Sequence, residues 1–186
     1  MSRIGSLQKP YPAEIGAVID KITAPGREPL ALFTALGQSP RAWDRFMGGS
    51  MAGASPLSMR DREIVINRTS ARSHNDYEWG IHTKLFARKA ELTPAQVRST
   101  FDGDADDGSW DEHDAALIAS VDALLDRKKL TDAEFARLKA HFDDAQILEV
   151  VQLIAFYHGI ALIVGALDLP NEAGMPGFPS KDLPNA

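Results

Sequence analysis

Glu63, Asn75, Glu78 and His82 are the residues of this chain whose types and spacing can do chemistry. They run through the stretch REIVINRTSARSHNDYEWGIH. Glu78 and His82 are i,i+4 neighbours on one helix face. On the helix before it, Arg60, Glu63 and Asn67 fall on one face at about 100° per residue. A short turn makes the two helices antiparallel neighbours, so Glu63 can approach His82. A carboxylate beside an imidazole fixes the ring tautomer and raises its basicity. A second carboxylate set in an apolar wall has its pKa raised and can act as a general acid. Glu63, Glu78 and His82 are therefore the candidate catalytic residues. Arg60, and Arg68 and Arg72 on an adjacent face, are the candidate seats for an anionic substrate. Tyr77, Trp79 and His74 are the candidate lining residues, with Trp79 and Leu85 marking the inward flank.

Each residue also has a plainer reading. Glu78 follows Asn75 by three, the spacing of a capping box. An i,i+4 Glu–His pair can simply decorate an exposed helix. Glu63 can serve only as a salt-bridge partner of Arg60 or Arg68, and Tyr77, Trp79 and Phe86 can be ordinary core. Metal binding is not expected, because Glu63, Glu78 and His82 include a single imidazole and no HExxH motif occurs. His158, inside an apolar helix, reads as a satisfied core histidine, and His113 and His141 read as surface residues.

The elements that must hold these groups are helices. Ser39-Pro40 opens one through Trp43 and Phe46. Ser58 caps a helix from Met59 to about Ser73, and Asn75 caps the next, to about Ala90. Thr93 with Gln96 and Pro94 opens another. Ser109 with Glu112 opens a helix through Asp126, Thr131 with Glu134 one to Phe142, and Asp143 with Gln146 the longest, to about Leu169 before Pro170. Alternating strand patterns are absent. One domain spanning 1–186 is expected, with Pro- and Gly-rich arms at about 1–12 and 170–186. The last helix is apolar around its whole circumference, which requires cover on every side. A subunit interface supplies that cover economically, and the arms can wrap a neighbour.

The bulk composition fits this picture. At 186 residues, 44% hydrophobic and 25% charged, the chain is an ordinary globular domain. A net charge of −6 argues against nucleic acid as partner. The absence of cysteine removes disulfides, thiolate metal sites and thiol redox chemistry together. The first twelve residues lack the apolar core of a secretory signal. Leu153–Leu167 is interrupted by His158 and reads as a buried helix rather than a membrane span. A soluble cytoplasmic protein without membrane or nucleic-acid partner is expected.

The segment RDREIVINRTSARSHNDYEWGIHTKLFARKAELT resembles the carboxymuconolactone decarboxylase family, which also holds the alkylhydroperoxidase D-like proteins. Thiol members show Glu, eleven residues, Cys, two residues, Cys, three residues, His; here the frame reads Glu63, Asn75, Glu78, His82. The resemblance implies an all-α helical bundle, a homotrimer or homohexamer, and functional Glu and His positions. With Asn75 and Glu78 at the thiol positions, thiol peroxidase activity is excluded. What remains resembles the cysteine-free branch, whose named member decarboxylates a lactone from aromatic catabolism without a cofactor. The expectation is a carboxymuconolactone decarboxylase-like lyase acting by acid–base chemistry on a small unsaturated carboxylate or lactone. The same parts suit an isomerase or a lactone or ester hydrolase on a ring-cleavage product. A non-catalytic binding or scaffold protein is the alternative of a different class.

Overall fold

The computed structural model describes residues 2–49 and 53–179. Among these are nine helices and no strand: α1 Ala13–Ile22, α2 Ala31–Leu36, α3 Pro40–Gly49, α4 Met59–Arg72, α5 Asp76–Phe86, α6 Pro94–Asp102, α7 Glu112–Arg127, α8 Asp132–Lys139 and α9 Asp144–Leu167. Four helices begin with reciprocal capping boxes, set by Ser58, Thr93, Thr131 and Asp143. Each box satisfies backbone donors that the first turn leaves without partners. The cap of α7 is Asp111, not Ser109, because the Asp111 carboxylate accepts the Asp114 amide at 2.9 Å. Helix α5 stops at Phe86, four residues before the expected end, and α8 stops at Lys139. Helices α1 and α2 carry no strong stop and start signals and were not individually legible in the sequence.

Helix α4 is the axis of the fold and packs against α5, α6, α7 and α9. Its apolar side chains Ile64, Val65 and Ile66 join Leu117, Ile118 and Val121 of α7 and Val150 and Leu153 of α9 in one core. A second core gathers Ile15, Ile19, Leu32, Trp43, Tyr77, Ile81 and Ile160. Tyr157 on α9 packs against both.

Both arms, as far as they are described, fold onto their own chain. At the N-terminus, the Arg3 amide donates to the Leu167 carbonyl at 2.8 Å and its guanidinium to the Ala166 carbonyl at 3.1 Å. These bonds cap the last carbonyls of α9, where cations are favoured. At the other end, Glu172 accepts from the Tyr77 hydroxyl and the Ala31 amide, each at 2.5 Å. Phe178 lies against Trp79 and Phe101. Residues 2–12 and 170–179 thus make these contacts within their own chain; the rest of the arm, 180–186, lies outside the described residues.

Within one chain α9 is not covered on all sides. Leu148 and Leu162 are 66% and 63% exposed, and Val151 is exposed beside them. By length and composition α9 is apolar enough to cross a membrane, and a third of its most apolar stretch is buried inside the chain.

The C-terminal strap crosses α5 at Gly80, where a Cβ would lie 1.9 Å from the Pro176 carbonyl oxygen. Gly80→Ala must push the strap outward, because backbone, not a flexible side chain, occupies the space. The expected cost is about 1–3 kcal/mol, read as a lower midpoint in chemical denaturation. An unchanged midpoint would mean that the strap contributes nothing to stability.

Candidate functional site

The turn between α4 and α5 sets the site. The His74 amide bonds the Ala71 carbonyl and the Asn75 amide bonds the Ser70 carbonyl, the two bonds of a Schellman ending. His74 takes the left-handed position with φ 55°. The turn is tight, so α5 folds back along α4. Asn75 then caps α5, its side-chain oxygen accepting the Glu78 amide at 3.3 Å. No capping box is completed: the Glu78 side chain turns to His82 instead.

His82 sits between two carboxylates. Its Nδ1 is 2.9 Å from Glu63 Oε2, a hydrogen bond across the two helices. Its Nε2 is 3.6 Å from Glu78 Oε2, an ion-pair distance beyond a direct bond. All three side chains are buried, at 5%, 5% and 8% exposure for Glu63, Glu78 and His82. The Asn67 amide donates to the Glu63 carbonyl at 2.7 Å, one turn along α4. The imidazole is flanked by the rings of Phe86 and Tyr157, each centred 5.2 Å away.

Glu63 and His82 form part of the wall of a cavity of about 490 Å³, together with Arg62, Ile66, Phe86 and Tyr157. Arg62 reaches Glu149 of α9 at 3.2 Å, and Glu149 also accepts the Ser55 hydroxyl. The cavity thus presents apolar and aromatic walls, one guanidinium, and an imidazole fixed from behind.

Burial and charge tune the trio. Burial alone would lower the His82 pKa, but the hydrogen bond and charge of Glu63, and then the charge of Glu78, prevail and raise it. Burial raises the Glu78 carboxyl, His82 opposes the rise, and Glu172 and Glu63 add to it. The imidazole is therefore held protonated beyond its ordinary range, and the neutral form of Glu78 is favoured.

The structure brings Glu63, Glu78 and His82 together and disperses the other candidates. Arg60 bonds Asp114 with two nitrogens, at 3.1 and 2.6 Å, and the Glu91 carbonyl at 2.9 Å. Arg68 is 3% exposed and grips Asp122 in a fork at 2.7 and 2.6 Å, with the Ser99 and Thr100 carbonyls. Arg72 is exposed and 3.4 Å from the same Asp122. These three arginines pin α4 to α6 and α7 and line no part of the cavity. Arg60 and Glu63 are three residues apart on α4, but Arg60 meets Asp114 and Glu63 meets His82. Tyr77 is core, its hydroxyl held by Glu172 and the Leu32 amide. Trp79 is core, with Nε1 donating to Thr100. His74 is exposed at its turn, and Leu85 is 43% exposed rather than inward.

Two groups at the cavity escaped sequence reasoning. Arg62 was hidden among neighbouring arginines, and only its packing against α9 distinguishes it. Tyr157 was hidden in an apolar run beside His158. His158 itself is half-buried and bonded through Nδ1 to the Ser73 hydroxyl at 2.9 Å. His141 is at the surface, but His113 is engaged: its Nε2 lies 2.7 Å from Asp61 and its ring on Phe142. Asp61, His113 and Asp114 are close enough together to hold a metal ion. The Arg60 guanidinium already bonds the Asp114 carboxylate there, and Asp61 closes the α4 cap.

The tuning is testable without a substrate. By NMR, His82 should titrate with a midpoint above 6.5, its ordinary value, and Glu63→Gln should lower that midpoint. Because folded His82 binds its proton more tightly than the unfolded chain does, its stabilising contribution is complete below about 6.5 and is lost as pH rises through the folded value. A midpoint that Glu63→Gln leaves unmoved would contradict the Glu63–His82 bond.

Residues 37–122 match the model of the Carboxymuconolactone decarboxylase family. The matched segment runs from the end of α2 into α7 and contains Glu63, Asn75, Glu78 and His82, but not Tyr157. No curated protein matches the sequence. Among solved structures, an uncharacterized peroxidase-related protein from Ralstonia eutropha with an alkylhydroperoxidase AhpD core superposes with a TM-score of 0.81 at 17% identity, over 92% of this chain and 93% of that one. A peroxidase-related protein from Silicibacter gives 0.78 at 15% identity, over 90% of each. A debrominase variant in complex with 2,3,4-tribromopyrrole gives 0.76 at 16% identity, over 91% of each. Residues 37–122 thus match the carboxymuconolactone decarboxylase family model, and the chain shares its helical fold with an AhpD core, without a cysteine in the sequence.

Proposed function

We propose that this protein is a cofactor-independent acid–base enzyme of aromatic-compound catabolism, a carboxymuconolactone decarboxylase-like lyase on a small unsaturated carboxylate or lactone. The observation that carries the reading is the buried imidazole held by one carboxylate, faced by a second, and set in the wall of a cavity. In the proposed reaction Arg62 attracts the substrate carboxylate, taking the role that sequence alone gave to Arg60, Arg68 or Arg72. The bond to the departing carboxylate carbon breaks, and its electron pair spreads through the conjugated system onto the lactone carbonyl. Carbon dioxide leaves. His82 delivers one proton to carbon and becomes neutral, and solvent then restores the imidazolium; Glu63 keeps the ring oriented throughout. Glu78, whose neutral form burial favours, relays that solvent proton to Nε2. A debrominase of the same fold, caught with a small brominated ring, supports non-peroxidase chemistry on compact ring substrates as a use of this architecture.

Incubation with a panel of ring-cleavage products, including carboxymuconolactones, should give loss of carbon dioxide by mass spectrometry. Gain of water, or unchanged mass with a new retention time, would instead make the enzyme a hydrolase or an isomerase. Binding without turnover would make it a binding protein. On the substrate so found, His82→Ala and Glu63→Gln should each lower turnover by about 10²–10⁴-fold, with helicity retained. Near-normal turnover by His82→Ala would overturn the assignment.

The proposed protein is soluble, cytoplasmic and a homotrimer or homohexamer, with no nucleic-acid or membrane partner. The exposed apolar face of α9 supports association, since a second copy would remove Leu148, Val151 and Leu162 from water. Light scattering at micromolar concentration should give a multiple of three chains, and Leu148→Glu with Leu162→Glu should dissociate it. A monodisperse monomer would refute the proposal.

A further inference from the structure

Two tyrosines of this chain, Tyr77 buried in the core and Tyr157 half-buried at the cavity, are treated differently. The Tyr77 hydroxyl donates to Glu172 and accepts from the Leu32 amide, so both its capacities are used inside the fold. Tyr157 lines the cavity, with its ring edge-on to His82 at 5.2 Å and 87°. Among the described residues its hydroxyl has no hydrogen-bond partner. The hydroxyl is not sealed in the core, so at the cavity wall its O–H is left available to a ligand.

We infer that Tyr157 is the oxyanion donor of the cavity, and that the cavity takes a planar conjugated oxyanion, an enolate or an anion of phenolate shape. The inference rests on the acid–base reading of the same site, and it names the ligand class that the reading leaves open. The apolar walls of Ile66, Leu57 and Phe86 suit a flat, delocalised ring system rather than a sugar or a phosphate. The charges suit an anion despite two glutamates nearby. Glu63 is bonded to the imidazole, burial favours the neutral form of Glu78, His82 is held protonated, and Arg62 is matched by Glu149. The wall therefore offers a cationic ring and a phenolic O–H without a surplus of negative charge. Burial first, and then the charges of Glu78 and Glu63, push the Tyr157 phenol well above its ordinary range, while Arg62 opposes the rise. The phenol consequently gives a hydrogen bond and keeps its proton. No bond is made or broken at Tyr157, and the proton that moves is the one on His82. A donor fixed where charge develops, in a site poor in water, is the arrangement that lowers the barrier to enolate formation.

The probe is 4-nitrophenol at pH 8, followed through the absorbance of bound 4-nitrophenolate, on the full chain. The wild-type protein should bind it saturably, and Tyr157→Phe should weaken binding about ten- to hundredfold with helicity and melting retained. Failure of the wild type to bind the phenolate, or equal affinity in Tyr157→Phe, overturns the inference. A comparison within the wild type needs no variant: nitrobenzene, the same ring without the oxygen, should bind at least about tenfold more weakly, and equal affinity also overturns the inference. Because the probe is not turned over, loss of the Tyr157 assignment and loss of the His82 assignment are separate results.

Discussion

The constraint on which this structure depends is the burial of a polar helix. Helix α4 is the axis of the bundle, yet Asp61, Glu63, Asn67, Arg68, Thr69 and Ser70 are buried along it together with Ile64, Val65 and Ile66. Unpaired charges in such a place are not tolerated, because desolvation costs several kcal/mol for each ion. Each charged group therefore recruits a partner from a neighbouring helix. Arg68 takes Asp122, Arg60 takes Asp114, Asp61 takes His113, and Glu63 takes His82. These pairs fix how α5 and α7 lie against α4. The site is one member of this set, distinguished because its imidazole also faces a cavity.

Legibility followed the range of the interactions. Helix ends governed by local hydrogen bonds, such as Ser58 with Asp61 and Asp143 with Gln146, could be read from three-residue spacing. The cap of α7 could not, because Ser109 and Asp111 both offer an oxygen and only the path of the chain selects Asp111. The phase of Glu63, Glu78 and His82 could be read, since it needs only helical periodicity and a tight turn. The arginines could not be sorted. Arg60, Arg62, Arg68 and Arg72 are chemically alike, and what separates them is which helix each one meets. Tyr157 was illegible for a related reason: its role depends on what its hydroxyl lacks, and spacing carries no information about a missing partner. The strap at Gly80 had a signal that went unread, a glycine inside an otherwise good helix.

The thiol frame that this sequence resembles is altered at two positions, and the alterations have different structural fates. Asn75 becomes a helix cap, a local task that a short polar side chain performs well. Glu78 becomes a second carboxylate on the far side of the imidazole. With Glu63 alone, the ring would have one fixed nitrogen and one facing only the site. With both, each ring nitrogen faces an acid, and the doubly protonated ring is the form that both acids favour. The two contacts are not equal, however. At 2.9 Å the Nδ1 proton is committed to Glu63, whereas at 3.6 Å the Nε2 proton is attracted by Glu78 without being bound by it. An imidazolium with one anchored proton and one loosely held proton transfers the second. That asymmetry of 2.9 against 3.6 Å, rather than the mere presence of two glutamates, is what makes the buried pair suited to proton transfer and not only to holding two helices together.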